Sequence, residues 1–436
     1  MSEYNTAGNI ETFESRLLRE KYYRYIHESG LQIFVFPKKM SSTYALFGTR
    51  YGSVDNVFRT AEDRDFITVP DGIAHFLEHK LFANEDGSDS FERFSDFGAD
   101  ANAYTSFNKT AYVFSCTDNL EASLGELIDF VTHPYFTPAS VEKERGIIGE
   151  EIRMYDDSPA DRCFYGMLEG MYEKHSIRRN ICGSAASIAQ ITDTTLYECY
   201  RVFYNLSNMA LVVCGDVDSE NIIKIAQKHL PSAGAPTVIV RSDENSAEKP
   251  TVFKSYVEQK MQVSKPMFNI GIKDTDIPFD PRQRQKKDAA MAILDEMIFA
   301  RSGEFYNSLF ESGLISPGLS YGYTMSSVCA YNSVAGEAEE PEKVLGELKK
   351  YISELRLKGL KRSDFERGKR VMYAEFVKTF DSTESIANTL FSFFCEGGEL
   401  LGYADVINEV TFDDVCRLLQ NSFDDRSYTL SVIVPV

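Results

Sequence analysis

Positive charge is scarce in this chain. Lys and Arg number 46 against 66 Asp and Glu, a formal net charge of −20 with a pI near 4.9. A phosphate-binding surface needs clustered Lys and Arg, so this balance argues against a nucleic-acid partner and reads as an acidic, solubilising surface. No run of 18 apolar residues occurs, so no membrane-spanning helix is expected. The opening stretch MSEYNTAGNIETFESRLLREKYY has neither the apolar core nor the small-residue cleavage site of a secretion signal, and a cytoplasmic location is the expectation. Eight cysteines are scattered singly, with no C-x-x-C pair, and several lie in apolar runs such as ALVVCGD and FSFFCEGG. They read as reduced, mostly buried thiols, which argues against a zinc site built on cysteine. No G-x-S-x-G elbow is present either.

Core material, by contrast, is ample. The chain has 436 residues, 43% hydrophobic and 26% charged, enough for two domains of about 200 residues each. Strand patterns at Leu31–Lys38, Thr43–Val54, Asp100–Phe107, Thr110–Thr117 and Asn208–Val217 alternate with helical ones. The segment Pro231–Pro250 concentrates Pro, Gly, Ser and charge and reads as a linker. Beyond it come expected strands at Val252–Tyr256, Met267–Lys273 and Leu319–Val334, then long helices, then a final strand, SYTLSVIVPV. LGEL at Leu124–Leu127 recurs at Leu345–Leu348, and ERG at Glu144–Gly146 recurs at Glu366–Gly368, offsets of 221 and 222. Nearly equal offsets inside the same predicted helices point to a duplication. The expected architecture is α+β: a domain at 1–230 and a homologous one at 251–436, joined by 231–250, each a mainly antiparallel sheet with helices.

Chemistry concentrates in DGIAHFLEHKLF (Asp71–Phe82). On a helix, His75 and His79 project from one face because they are four apart, and Glu78 stands beside the second histidine. This is H-x-x-E-H, the inverted form of the metalloprotease H-E-x-x-H. Asp71 is the expected N-cap. His27, His133, His175 and His229 read instead as core or plain surface residues.

Two histidines do not complete a catalytic zinc site, which usually takes three protein ligands and leaves a fourth position open. The third candidate lies in VEKERGIIGEEIRMYDD. Glu144 and Glu151, seven apart, share a helix face to within about 20 degrees, whereas Glu150 points away and reads as a solvated charge. Ile147, Ile148 and Met154 make that shared face otherwise apolar, so it is expected to turn inward, and inward carboxylates need a cation or a donor. The chemistry this suggests is peptide hydrolysis without a covalent intermediate, with Glu78 as general base.

HFLEH followed by ERGIIGEEIRMYDDSP resembles the insulinase and pitrilysin superfamily, above all its half-length bacterial zinc peptidases, which are similar to mitochondrial processing peptidase subunits. GIAHFLEHKLF, ADANAYTSFNKTAYVFS and ICGSAASIAQIT fall in family order. The resemblance implies a zinc endopeptidase acting on short or unfolded peptides, its two halves packed as a clam around a chamber, with one zinc ion per chain in the first half. It makes His75, His79 and Glu151 the metal ligands, Glu78 the base and Glu144 a partner behind the ligands. Asn102 and Ala103 match the strand that pairs with an extended substrate.

The second half departs from the family. The repeat sets Glu296, Phe299 and Ala300 against the metal motif and Tyr373 against Glu151, so no second metal site is expected. Family members usually place an Arg and a Tyr, seven apart, to hold substrate and oxyanion. Here Tyr321 fits the tyrosine role, with Tyr323 as a rival, but Leu314 stands where the arginine belongs. Either Tyr321 acts alone, or a partner in a homodimer or a heterodimer with a related subunit supplies the missing group. A noncatalytic subunit of such an assembly is the competing reading, and an intact Glu78 beside three ligands argues against it.

Overall fold

The computed structural model describes residues 10–231, 236–242 and 248–436. They divide into two compact units. The first holds the described residues up to Ile152, those of Asn180–Ser242, and Val377–Gly402; the second holds Arg153–Arg179, the described residues after Ser242 as far as Phe376, and Tyr403–Val436.

The first unit is built on a seven-stranded sheet in the order Ile10–Ser15, Glu20–Ile26, Gln32–Pro37, Met209–Gly215, Thr43–Thr49, Thr110–Cys116, Asp100–Thr105. Met209–Gly215 is buried at every residue, as a central strand covered on both faces must be. Asp100–Thr105 is the last strand, and its outer edge pairs with no strand among the described residues. Residues 10–26 form a hairpin in which Phe13 stacks on the buried Tyr22. Part of the expected linker is also ordered: Ile239–Arg241 pairs antiparallel with Val57–Thr60 in a small second sheet. Its Val238-Ile239-Val240 core is β-branched, which favours a strand over a linker.

The second unit repeats the plan. Its five strands run Tyr256–Met261, Tyr428–Pro435, Met267–Asp274, Ala330–Glu337, Ser320–Met325. This is the order of the last five strands of the first sheet, and in both the first pair is parallel and the rest antiparallel. The duplication read from LGEL and ERG is therefore one of topology. The strand expected at Val252–Tyr256 starts only at Tyr256, because the amides of Val252, Phe253 and Lys254 donate to the carbonyls of Arg426, Met171 and Gly170.

The units do not follow the simple halves, since each takes a helix from the other half of the sequence. Thr383–Glu396 packs on Thr43–Thr49 and Met209–Gly215 in the first unit; Pro159–Met171 packs on Met267–Asp274 and Tyr428–Pro435 in the second. Both helices settle onto a strand glycine. A Cβ on Gly48 would stand 2.3 Å from the Phe391 ring, and one on Gly271 would stand 2.6 Å from Met167. No helix among the described residues is long and apolar enough to cross a membrane.

Candidate metal centre

The motif helix spans Ile73–Leu81. Asp71 does not cap it. Gly72 occupies the cap position at φ 90°, a left-handed conformation suited to glycine, while Asp71 accepts a hydrogen bond of 2.6 Å from Asn56 Nδ2. The helix lies against the edge strand Asp100–Thr105 and its neighbour Thr110–Cys116, burying Phe76, Leu77 and Leu81. That packing draws His75 and Glu78 down to 7% exposure each.

One turn apart, the His75 and His79 rings sit with centroids 4.6 Å from each other. The glutamate helix, Pro138–Asp156, supplies the carboxylates. Glu151 Oε1 lies 3.5 Å from His75 Nε2 and Glu151 Oε2 lies 3.5 Å from His79 Nε2. Ligating atoms of His75, His79 and Glu151 fall within 4.8 Å of one another.

His79 Nδ1 stands 3.0 Å from Glu144 Oε1, and Lys80 Nζ is 4.0 Å from the other Glu144 oxygen. Burial alone would raise the Glu144 carboxyl, but the His79 hydrogen bond and the charges of His79, Lys80 and Lys143 hold it below the usual carboxylate range. Glu144 thus orients the His79 ring through Nδ1 and leaves Nε2 on the side of Glu151. His75 Nδ1 is buried with no hydrogen-bond partner among the described residues.

Glu78 is raised above the ordinary carboxyl range by burial, opposed by His75 and by the Thr105 hydroxyl. Thr105 donates that hydroxyl to Glu78 Oε2 from the end of the edge strand, and Thr110, 3.3 Å from Thr105, donates in turn to the Tyr51 carbonyl at 2.9 Å. Thr105 is a functional contact that the sequence motif does not include. It reaches Glu78 only through the packing of the edge strand on the motif helix, which no local spacing signals. Asn102 is exposed, and its Oδ1 accepts the Ala103 amide at 2.8 Å. Glu150 is exposed, as expected. The inward apolar face expected for the glutamate helix is not uniform: Ile148 is buried, but Ile147 and Met154 are 49% and 59% exposed, because burial follows the Val141, Ile148, Ile152 stripe instead.

Tyr321 and Tyr323 lie on the edge strand of the second unit. Tyr321 donates to Glu296 Oε2 at 2.9 Å and Tyr323 to Asp274 Oδ2 at 2.8 Å, and burial together with these carboxylates pushes both phenols up. Glu296, the repeat counterpart of His75, is bound by Arg367 at 2.7 Å. Phe299 and Ala300 are buried. Where the first unit gathers donors that call for a cation, the second carries a guanidinium.

Two imidazole nitrogens and one carboxylate suit zinc, and a buried glutamate neighbours them. A duplicated α+β unit carrying that set on H-x-x-E-H and a distant helix defines the inverted-motif class of metallopeptidase folds. Comparisons agree: residues 69–185 match the family described as Insulinase (Peptidase family M16), and 190–372 match Peptidase M16 inactive domain. A Bacillus subtilis (strain 168) protein, named the uncharacterized zinc protease YmfH, is 38% identical over 98% of this chain and 99% of its own length. An M16-like peptidase structure from Alicyclobacillus acidocaldarius has 31% identity and a TM-score of 0.91 over 97% of this chain and 100% of that one. A protease structure from Helicobacter pylori, 18% identical with a TM-score of 0.81 over 95% of this chain and 100% of its own, shares the fold. The chain belongs to the insulinase family, peptidase family M16.

Proposed function

We propose that this chain is a zinc-dependent endopeptidase that hydrolyses peptide bonds in short or unfolded peptides, with one zinc ion held by His75, His79 and Glu151. The observation that carries the reading is the convergence of those three side chains beside a buried Glu78. Zinc, when bound, lowers the pKa of its water toward about 7 and polarises the scissile carbonyl.

The chain's own groups supply the rest. Glu78 accepts a proton at one carboxylate oxygen while Thr105 steadies the other, and it later returns the proton to the leaving amine. An extended peptide adds to the open edge of Asp100–Thr105 through main-chain bonds, which selects by conformation more than by sequence. To do so it takes over the Ala103 amide that Asn102 satisfies in its absence. Tyr321, and Tyr323 as its rival, carry the oxyanion and substrate roles that the family resemblance implies; in the structure both hydroxyls are engaged by carboxylates of their own unit. The missing arginine supports a homodimer or a heterodimer with a related subunit as the working form, in the cytoplasm.

Elemental analysis and cleavage of a quenched peptide test the reading together. The expected result is close to one zinc per folded chain, cleavage lost on chelation and restored by zinc. A folded chain that binds no zinc, or one whose cleavage is indifferent to chelation, overturns it.

A further inference from the structure

The second unit holds a cavity of about 330 Å³, within the range of sites that take small organic molecules. Its walls come from three pieces of chain: the loop that follows strand Met267–Asp274, helix Pro281–Phe299, and helix Phe412–Asn421 with Ser422 after it. Three aspartates and three cations line it, Asp274, Asp276 and Asp414 against Lys286, Lys287 and Arg417, so its formal charge cancels. A wall with no excess of either sign favours neither a polyanion nor a bare cation.

The charges are nevertheless sorted in space, because the neighbours Lys286 and Lys287 on helix Pro281–Phe299 reach in different directions. The buried Lys287 ammonium is 2.9 Å from Asp274 and 3.1 Å from Asp276, on the loop side. Lys286 is 3.0 Å from Asp414, on helix Phe412–Asn421, which packs against its own helix. Each flank carries one charge that its internal partner leaves unsaturated. Asp276 stays 89% exposed despite the Lys287 contact. Arg417, 69% exposed, is 3.7 Å from Asp414, longer than a hydrogen bond. Pro278, Ala290 and Leu418 add apolar surface to the lining.

We propose that this cavity binds a small zwitterion with an apolar side chain, of the class of a free α-amino acid or a dipeptide. Its ammonium pairs with Asp276, and its carboxylate takes the Arg417 guanidinium in the bidentate fashion that guanidinium geometry favours. Its side chain rests on Pro278, Ala290 and Leu418. Both charged ends are needed, because a wall of balanced charge repays the desolvation of a ligand charge only where that charge meets its opposite. The inference is independent of the metal reading of His75, His79 and Glu151.

Saturation-transfer NMR titrations of the full chain with L-leucine, N-acetyl-L-leucine and L-leucinamide test it. The first probe keeps both charges, the second lacks the ammonium and the third lacks the carboxylate. The wild type is expected to bind leucine, and to bind each of the other two roughly tenfold or more weakly, the size of one lost charge-assisted hydrogen bond. In R417Q the preference for leucine over leucinamide should vanish while that over N-acetyl-leucine persists, and in D276N the reverse. Both side chains are exposed, so the two variants should melt as the wild type does. No binding of leucine, equal binding of the three probes, or preferences unchanged in the folded variants overturns the proposal.

Discussion

His79 Nδ1 and Glu144 Oε1 are 3.0 Å apart, and that contact decides which nitrogen of His79 faces Glu151. Glu144→Ala removes the acceptor and frees the ring. Loss of such a partner behind a metal ligand typically costs about 10–100-fold in affinity. Competition against a chromophoric chelator should show that drop for E144A and none for E150A, since Glu150 is exposed.

Thr105 is a positioning residue for the base. Thr105→Val keeps the strand-forming shape but removes the hydroxyl that Glu78 accepts. General acid–base catalysis contributes roughly 100- to 10,000-fold, and a misaligned base forfeits part of it. The expected outcome is a lower kcat with KM and zinc content unchanged; an equal fall in zinc content would assign Thr105 to the fold instead.

Gly48 tests the helix exchange. A Cβ there meets the Phe391 ring at 2.3 Å, so Gly48→Ala should destabilise by about 1–3 kcal/mol, as overpacked cores do. Phe391→Leu in the same chain should recover part of the loss, a coupling measurable in a denaturant double-mutant cycle. Strict additivity of the two changes would show that helix Thr383–Glu396 does not rest on this strand.

These contacts explain what was legible in the residues and what was not. His75, Glu78 and His79 could be read because helical spacing is local, and Glu151 because it lies two turns from Glu144 on one helix. Thr105 could not, since its strand reaches the motif only through tertiary packing. Ile239–Arg241 hid inside a Pro- and Ser-rich stretch because its partner, Val57–Thr60, is remote in the chain. Exchange of Pro159–Met171 and Thr383–Glu396 between halves left no local trace either, as an amphipathic helix fits either of two homologous sheets. The outward turn of Ile147 and Met154 shows the limit of counting apolar residues on a face.

Acid stability of the second unit hangs partly on Glu248. Burial opposes its charge, but the amides of His175 and Lys174 and the Lys273 ammonium, 3.0 Å away, hold its carboxyl down to about 2. A depressed folded-state value means the contribution is full above the ordinary value of 4.5 and fades as pH falls toward about 2. Melting curves between pH 6 and pH 2 should show a steeper acid loss for the wild type than for Glu248→Gln, which is less stable at neutral pH; parallel curves would contradict the assignment.

The central claim is that Glu78 moves the proton at a metal centre built by its neighbours. The most direct measurement is kcat for peptide cleavage by zinc-loaded Glu78→Gln, with zinc content determined on the same sample. A fall of roughly 100-fold or more with zinc retained is the predicted result, the size that general-base catalysis supplies. Full cleavage by a zinc-loaded E78Q chain would contradict it.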